Sequence, residues 1–329
     1  MNQKQASRAT LSRLELRSPP LPQTLLEAVD LMDKPEQLEI GPVTQMVQRD
    51  PIVIARLLQI VNSAYYGLQR SVSSADRAVV MLGPVAVTGI VMGMNMLKLR
   101  SALDGPASTC FFHLIRHSLA TAFLTRFIVE GPPRSSFHQE RRATKHLGAS
   151  FTAGLLHDFG KIILVFNFPH EAVELYEKQG VDLQIRDLDL RSMEQLLFGC
   201  DHIEAGEYVA RKLDFPDTLT DVIRYQHEPT TPTGNAETDR LLNASAAANI
   251  AAKAMGFAFT SPLSRQECSQ SSVWDHLITQ NLPGRPTRSD LLADLFAQQE
   301  HLDEFVQNLT TPTMKAVHQQ HPRSPLRAL

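Results

Sequence analysis

The chain has 329 residues, and its 32 lysines and arginines against 35 aspartates and glutamates give a formal net charge of −3. Hydrophobic residues make up 43% and charged residues 20%, which is typical of a globular chain and excludes a largely disordered or fibrous one. The charge balance also argues against a polybasic membrane anchor or a protein that coats nucleic acid.

The start of the chain and the cysteines indicate the compartment. Residues 1 to 17 predict a flexible leader, and Met1 to Thr10 is polar and lacks the apolar core of a secretory signal. Cys110, Cys200 and Cys268 lie far apart, and none belongs to a C-x-x-C pair. We therefore expect a cytoplasmic protein.

Residues 18 to 104 predict a helical N-terminal subdomain. Ser18 to Pro22 forms an extended entry because its prolines exclude a helix. The predicted helices run from Thr24 as N-cap to about Asp33, from Asp50 as N-cap to a stop at Gly67, from Ser74 to about Gly83, and from Pro84 to about Arg100. The stretch from Asn62 to Gly67 is either a helix stop with half-buried tyrosines or a contact surface toward the next block.

The segment from Ala78 to Leu97 carries no charged residue and has about the length of a membrane-spanning helix. Gly83-Pro84 divides it, and Thr88 and Asn95 add polar groups. We interpret it as two buried core helices and expect no membrane partner.

Residues 105 to 258 predict a second helical block. No sustained period-two alternation occurs, so the predicted fold class is all-α. The first predicted helix follows Asp104 and carries His113 and His117, and a polar loop follows at residues 131 to 142. Further helices are predicted at about residues 143 to 164, from about residue 171, at about 193 to 212, at 216 to about 226, and at 238 to 254. Gly256 is predicted to end the last of them.

Residues 259 to 329 predict a C-terminal extension that is only partly ordered. Helical pattern returns at 289 to 308, and the stretch after Thr310 has no acidic residue and predicts a disordered basic tail. Lys315, Arg323 and Arg327 are the only support for nucleic-acid binding, which we therefore do not expect.

The main candidate for chemistry is His157-Asp158, within the run from Gly154 to Lys161 (GLLHDFGK). An imidazole beside a carboxylate is a mixed nitrogen and oxygen ligand set that suits iron, manganese, nickel or zinc better than calcium. Because the pair follows the apolar Leu155-Leu156, we expect it at a helix boundary that faces inward.

Eight short motifs in a fixed order extend this signal from Ser18 to His227. They are Pro20-Leu-Pro22, Asp50-Pro51, Asn62-Ser63-Ala64, residues 78–83 (AVVMLG), Arg116-His117-Ser118, residues 154–161, Asp201-His202 with Gly206, and Phe215-Pro216. Together they resemble the HDOD domain, a signalling relative of the HD metal-dependent phosphohydrolases. The resemblance implies an N-terminal helical subdomain packed on an HD-like helical bundle.

The resemblance also implies a metal-ligand set. In the HD superfamily an early His, the adjacent His and Asp, and a later Asp hold the metal, and the matching positions here are His117, His157, Asp158 and Asn249. An amide oxygen brings no charge, so Asn249 weakens the expectation of metal binding and of hydrolysis.

The chain resembles the HD-GYP branch as well. His202 and His227 match the additional metal-binding histidines of that branch. Its double His is Gln226-His227 here, and no Gly-Tyr-Pro stretch follows. Hydrolysis of a cyclic dinucleotide is correspondingly less expected.

Each of these residues also has a structural interpretation. His117 is alternatively a hydrogen-bonded core histidine, and Asp158 caps a helix or pairs with Lys161. Lys161 either steadies a phosphate or is a surface cation. His202 with Asp201 is alternatively the start of a helix.

The resemblance implies a bacterial signal-transduction module, mainly a non-catalytic or degenerate output or scaffold domain that binds a partner protein. A nucleotide or cyclic dinucleotide is the second class of ligand. The alternative is a metal-dependent phosphohydrolase, acting on phosphomonoesters or cyclic dinucleotides. There the ion held by His117, His157 and Asp158 lowers the pKa of water, and Lys161 neutralises the phosphate.

Overall fold

The structure of the chain is a computed structural model that describes residues 16–31, 38–132, 149–179, 187–260, 262–279 and 287–311. Every regular element within these ranges is a helix, and they contain no strand, so the predicted all-α class is confirmed. The leader before Leu16, the predicted loop from residue 133 onward and the predicted tail after Thr311 lie outside the described residues.

The described residues between Gln23 and Ala102 form a first helical block. Its α-helices are α1 (Gln23–Leu31), α2 (Ile40–Gln48), α3 (Pro51–Val61), α4 (Ala75–Leu82) and α5 (Pro84–Lys98), with 3-10 turns at Ala64–Tyr66 and Leu99–Ala102.

Local capping explains where α3 and α4 begin. The Asp50 carboxylate accepts hydrogen bonds from the backbone N–H groups of Ile52 and Val53, and Ser74 does the same for α4. The predicted N-cap at Thr24 is wrong, because α1 starts one residue earlier. Thr24 instead donates its hydroxyl to Asn95 Oδ1 at 2.8 Å, which joins α1 to α5.

The apolar segment from Ala78 to Leu97 is split as expected. Among the described residues, no single helix is long and apolar enough to cross a membrane. Ala75–Leu82 and Pro84–Ala102 meet that condition only as a pair, and they are bent by 111° at Gly83. The α5 side chains from Ala86 to Met96 are buried within the protein.

The second block is a helical bundle. Its α-helices are α6 (Gly105–Glu130), α7 (Ser150–Leu156), α8 (Phe159–Asn167), α9 (Pro169–Val173), α10 (Asp187–Phe198), α11 (His202–Lys212), α12 (Asp217–Tyr225) and α13 (Ala236–Ala252), with π-helical turns at Glu174–Gln179 and Lys253–Phe257.

Two of the predicted helices are interrupted. A turn at His157-Asp158 separates α7 from α8, and Gly199, with φ 76°, lies in the break between α10 and α11. The break at His157-Asp158 confirms the expected helix boundary that faces inward, since both residues are buried. At Gly199 apolar spacing continues across the break, so the sequence pattern indicated one helix.

Helix α6 lies at the centre of the bundle. Its apolar residues surround the whole helix, which is typical of a buried core helix. A Cβ atom on Gly154 would lie 2.7 Å from Ala122 Cα and 2.7 Å from the Thr121 carbonyl oxygen. The absence of a side chain therefore lets α7 lie directly on α6, which carries His157 toward α6.

Glycines and tyrosines join the two blocks. A Cβ atom on Gly93 of α5 would lie 2.9 Å from Leu119 Cδ2 of α6. The Tyr65 ring centroid lies 5.0 Å from that of Phe123, and Arg126 donates a 3.3 Å hydrogen bond to the Tyr66 hydroxyl. Tyr65 and Tyr66 thus contact the second block. Asn62 also caps the end of α3, and Gly67, with φ 56°, ends the 3-10 turn, so both interpretations of this stretch hold.

The chain continues through α14 (Arg265–Gln270), α15 (Val273–Thr279), α16 (Arg288–Phe296) and α17 (Gln299–Thr310). Trp274 is fully buried and donates its Nε1–H to the Cys268 carbonyl oxygen at 2.7 Å. Phe305 of α17 packs its ring against Phe123 and Phe151. These helices therefore contribute to the same hydrophobic core as the bundle.

Candidate metal centre

His157 occupies the turn between α7 and α8, where its Nδ1 lies 2.7 Å from the Gly154 carbonyl oxygen. A carbonyl oxygen only accepts, so Nδ1 carries the proton and Nε2 presents its lone pair. The side chain is 1% exposed, and Nε2 has no hydrogen-bond partner among the residues that the structure describes.

His117 reaches the same place from the middle of α6. Its Nδ1 donates to the Phe257 carbonyl oxygen at 2.8 Å, in the turn after α13. Its Nε2 therefore also presents a lone pair, and the His117 and His157 ring centroids are 5.2 Å apart. Backbone carbonyls commonly fix metal-ligating imidazoles in this way.

Asp158 completes the group. Its Oδ2 lies 3.4 Å from His157 Nε2 and 3.7 Å from His117 Nε2. One potential ligand atom from each of the three residues lies within 4.8 Å of the other two. The structure therefore brings together the two histidines and the aspartate that the resemblance implied as metal ligands.

The protonation states suit metal binding. Burial lowers the pKa of His117 to about 3, helped by His157 and by the charges of Lys161 and Lys253, against an opposing effect of Asp158. Burial also lowers the pKa of His157. For Asp158 burial acts to raise the pKa, but Lys161 and then the neighbouring histidines hold it well below its usual range. Neutral imidazoles and an ionised carboxylate are the forms that bind a metal.

Unpartnered acceptor atoms test whether a cation fits. Within the described part of the chain, His157 Nε2, Asp158 Oδ1 and Asn249 Oδ1 are buried and make no hydrogen bond. Each of these atoms has a lone pair that no hydrogen-bond donor satisfies, and burial of such an atom without a partner costs free energy. His117, His157 and Asp158 therefore fit a divalent transition metal by geometry, protonation state and chemistry.

Lys161 belongs to this centre and is not a surface cation. It is 2% exposed, and its Nζ donates to Asp158 Oδ2 at 2.8 Å. The predicted alternative that Asp158 pairs with Lys161 is thus correct, and Asp158 makes no side-chain cap of α8.

Asn249 lies in the last turn of α13, and Lys253 begins the turn that follows this helix. Asn249 is 8% exposed and lies on the helix that packs along α6. Lys253, one turn later, is 5% exposed, and its charge acts on both His117 and His157. Sequence reasoning missed Lys253, although its spacing of four residues from Asn249 was a usable signal.

His202 and His227 lie in a second group and not among the three clustered ligands. Their Nε2 atoms are 2.9 Å apart, and His202 Nδ1 lies 2.5 Å from Glu194 Oε2. Tyr176 donates its hydroxyl to Glu194 Oε1 at 2.7 Å. Asp201 caps α11 through a capping box, as the structural interpretation predicted.

The sequence analysis missed Glu194. It lies eight residues before His202 in a stretch predicted as one helix, so its position gave no indication that the two side chains meet. The break at Gly199 turns α11 back, and Glu194 Oε2 then accepts both the His202 backbone N–H and Nδ1–H.

Two glycines bring the second group beside the first. A Cβ atom on Gly160 of α8 would lie 1.6 Å from the His202 carbonyl oxygen, and one on Gly206 of α11 would lie 3.0 Å from the Gly160 nitrogen. Helices α8 and α11 therefore cross in backbone contact. His202 is consequently close enough to Asp158 to contribute to the lowering of the Asp158 pKa.

Comparison with known proteins agrees with this architecture. The sequence profile of the HDOD domain matches residues 18–229. A curated relative, an uncharacterized protein of Treponema pallidum, is 21% identical over 209 residues, which cover 64% of this chain and 37% of that protein. The chain therefore spans little more than a third of the relative's length.

Solved structures share the fold. An HDOD domain protein from Geobacter sulfurreducens has a TM-score of 0.71 at 22% identity and covers 93% of this chain and 97% of its own. A "putative phosphohydrolase" from Shewanella amazonensis has a TM-score of 0.60 at 20% identity, with coverage of 92% and 98%. At these identities the likeness extends to the fold alone.

Proposed function

The chain belongs to the HDOD domain family, and on that premise we propose that it is a signal-transduction module whose His–Asp centre holds a divalent metal without catalysing hydrolysis. The metal is iron, manganese, nickel or zinc, held by His117, His157 and Asp158. The output of the module is the binding of a partner protein.

The observation that carries this proposal is the burial of the centre. His117, His157 and Asp158 are each 1% exposed, and Lys161 is 2% exposed. A catalytic metal keeps a coordination position open to water and substrate, whereas a structural metal is enclosed by the protein. Enclosure of all four side chains favours a structural ion.

The charge of the ligand set supports the same proposal. Asp158 is the only carboxylate among the ligands, and Lys161 already neutralises it through the 2.8 Å ion pair. Asn249 contributes an amide where HD phosphohydrolases have a carboxylate. A weakly anionic set binds a divalent ion less firmly and leaves less negative charge to hold it during turnover.

The alternative function is a metal-dependent phosphohydrolase, and the unpartnered Asp158 Oδ1 and His157 Nε2 favour it. A bound divalent ion would supply Lewis acidity toward water and phosphate oxygens. In this case the Lys161 ammonium group would move away from Asp158 and neutralise a phosphate. His117 and His157 would keep their orientation through hydrogen bonds to the carbonyl oxygens of Phe257 and Gly154.

A hydrolysis assay separates the two. Manganese-loaded wild type and Asp158→Ala are incubated with p-nitrophenyl phosphate, with bis-p-nitrophenyl phosphate and with cyclic di-GMP, and product is measured. The proposal predicts no turnover above the Asp158→Ala background. Turnover that Asp158→Ala abolishes would establish the phosphohydrolase instead.

The partner-binding output is supported by family membership and by the enclosed centre, since a metal without substrate access acts on conformation. We expect the metal to hold α6, α7 and α8 together and thereby to set the shape that a partner binds. Hydrogen exchange with and without Mn²⁺ tests this. The proposal predicts slower exchange over residues 150–167 with the metal, and unchanged exchange would contradict it.

A further inference from the structure

We infer that Gln299 of α17 is a positioning residue for the metal ligand His117, acting through the turn Lys253–Phe257. That His117 binds a metal rests on the proposed function, whereas the orientation of its imidazole can be measured in the metal-free chain. Gln299 and this turn both lie outside residues 18–229, the segment that matches the HDOD domain.

The turn Lys253–Phe257 accepts hydrogen bonds from two other helices. Its backbone departs from helical geometry at a glycine with φ 85°, and the last carbonyl groups of a helical segment have no N–H partner within that segment. The Phe257 carbonyl oxygen accepts from His117 Nδ1 of α6 at 2.8 Å. The Met255 carbonyl oxygen accepts from Gln299 Nε2 of α17 at 3.2 Å. Helix α17 therefore holds the turn that fixes the His117 ring.

The surroundings of the Gln299 amide determine which way it faces. Its Nε2 lies 3.2 Å from the Met255 carbonyl oxygen and 3.3 Å from each carboxylate oxygen of Asp303. All three oxygens are acceptors, and the amide NH2 group has two hydrogens to donate to them. Gln299 is therefore a donor to the turn, and a side chain without an N–H group cannot replace it.

Helix α17 contacts α6 as well as the turn. The Phe305 ring centroid lies 5.2 Å from that of Phe123 in α6. Six residues separate Gln299 from Phe305, and six separate His117 from Phe123, which is about 9 Å along each helix. The turn is thus bonded to a helix that itself packs on α6, so the Phe257 carbonyl and the imidazole keep their relative position.

Other contacts anchor α17 without Gln299. The buried Arg56 guanidinium group of α3 donates to the Asn308 carbonyl oxygen. The His301 ring centroid lies 5.4 Å from that of Tyr65. Removal of the Gln299 donor should therefore leave α17 in place and loosen the turn alone.

The test follows two buried ring N–H groups of the full, metal-free chain by NMR. One is His117 Nδ1–H, which is identified by its loss in His117→Gln. The other is Nε1–H of Trp274, the single tryptophan, which donates to the Cys268 carbonyl oxygen and serves as the internal reference. Gln299→Met lacks the donor. In this variant we expect His117 Nδ1–H to exchange with solvent about fivefold faster, and Trp274 Nε1–H to exchange at the wild-type rate.

Two further variants are the controls. Gln299→Lys keeps an N–H donor at the same position, and Gln307→Met makes the same replacement at an exposed position of α17. In both, the exchange of His117 Nδ1–H should stay within about twofold of wild type.

Contrary outcomes separate this inference from the proposed function. Unchanged exchange of His117 Nδ1–H in Gln299→Met would overturn the inference, as would equal exchange in Gln299→Met and Gln299→Lys. Equal acceleration at His117 and Trp274 would overturn it too, because Gln299 would then contribute only to overall stability. Failure of wild type to bind Mn²⁺ would overturn the proposed function and leave the positioning role of Gln299 intact.

Discussion

The Lys161 ammonium group and the Asp158 carboxylate form a buried ion pair, with 2.8 Å between Nζ and Oδ2. Both residues are at most 2% exposed. Lys161 lies three residues after Asp158, in the first turn of α8, so the sequence spacing itself places the cation beside the carboxylate. The chain thus carries an internal counterion for its proposed metal ligand.

Lys161→Met should destabilise the protein strongly, because it leaves the Asp158 carboxylate buried and unpaired. The expected loss in the free energy of unfolding is about 3 to 5 kcal/mol when a chelator keeps the protein free of metal. Saturating Mn²⁺ should recover part of it, since the ion replaces the missing positive charge. Urea unfolding with and without Mn²⁺ measures both effects.

The matched control is Lys98→Met. Lys98 pairs with Asp50 at 2.7 Å, but 45% of its side chain is exposed. Surface pairs contribute at most about 1 kcal/mol, so its loss should be small and independent of Mn²⁺. Similar losses in the two variants would show that burial of the Lys161 pair is energetically unimportant.

Gly160→Ala tests the crossing of α8 and α11. The added methyl group would lie 1.6 Å from the His202 carbonyl oxygen, so the two helices must separate. We expect a loss of about 3 kcal/mol or more in the free energy of unfolding, at or above the usual range for overpacking. Thermal and urea unfolding measure the loss.

Gly41→Ala is the control for that substitution. A Cβ atom on Gly41, in the first turn of α2, would have no neighbour within 4 Å among the described residues. Alanine should therefore be neutral or stabilise the protein by up to about 1 kcal/mol. If both variants lose the same stability, the close contact at Gly160 is not the cause.

Asp50 gives a prediction for pH dependence. Burial acts to raise its pKa, but the hydrogen bonds from Lys98 and from the Ile52 and Val53 backbone outweigh it and lower the pKa. In the unfolded chain the pKa of an aspartate is near 3.9, and in the folded protein the pKa of Asp50 is lower. The ionised Asp50 carboxylate therefore stabilises the fold at pH values above about 3.9, and this stabilisation is lost as the pH falls through the folded pKa.

Asp50→Asn keeps an acceptor for the cap and removes the charge. At pH 7 wild type should exceed the variant by up to about 1 kcal/mol in the free energy of unfolding. The difference should hold down to about pH 5 and shrink toward pH 3. Urea unfolding over this series measures it, and a difference that grows on acidification would contradict the assignment.

Asn249→Asp introduces a carboxylate at the position where the resemblance to the HD phosphohydrolases implies one. A second anionic ligand should raise the affinity for Mn²⁺ by at least about tenfold. Asn243→Asp, at another buried asparagine of α13, should not raise it. Calorimetric titration measures both, and an unchanged affinity in Asn249→Asp would remove Asn249 from the site.

Much of the fold was predictable because its signals are local. Asp50-Pro51 and Ser74 predict the starts of α3 and α4, because the Asp50 and Ser74 side chains accept hydrogen bonds from the backbone of the helix that each begins. Thr24 has the same residue type, but its hydroxyl bonds to Asn95, 71 positions away, and this tertiary contact overrides the local preference.

The candidate site was predictable only in part. The resemblance identified His117, His157 and Asp158, and the structure brings them together. Glu194 and Lys253 were missed because their roles depend on the break at Gly199 and on the turn after α13. Both are tertiary features that apolar spacing does not reveal.

Equilibrium dialysis against Mn²⁺, followed by elemental analysis of the protein, tests the central claim most directly. The proposal predicts about one manganese per chain in wild type and none in Asp158→Ala. His227→Gln should keep the metal, because His227 pairs with His202 outside the three-residue cluster. Equal manganese in wild type and Asp158→Ala, or none in wild type, would contradict a metal centre at His117, His157 and Asp158.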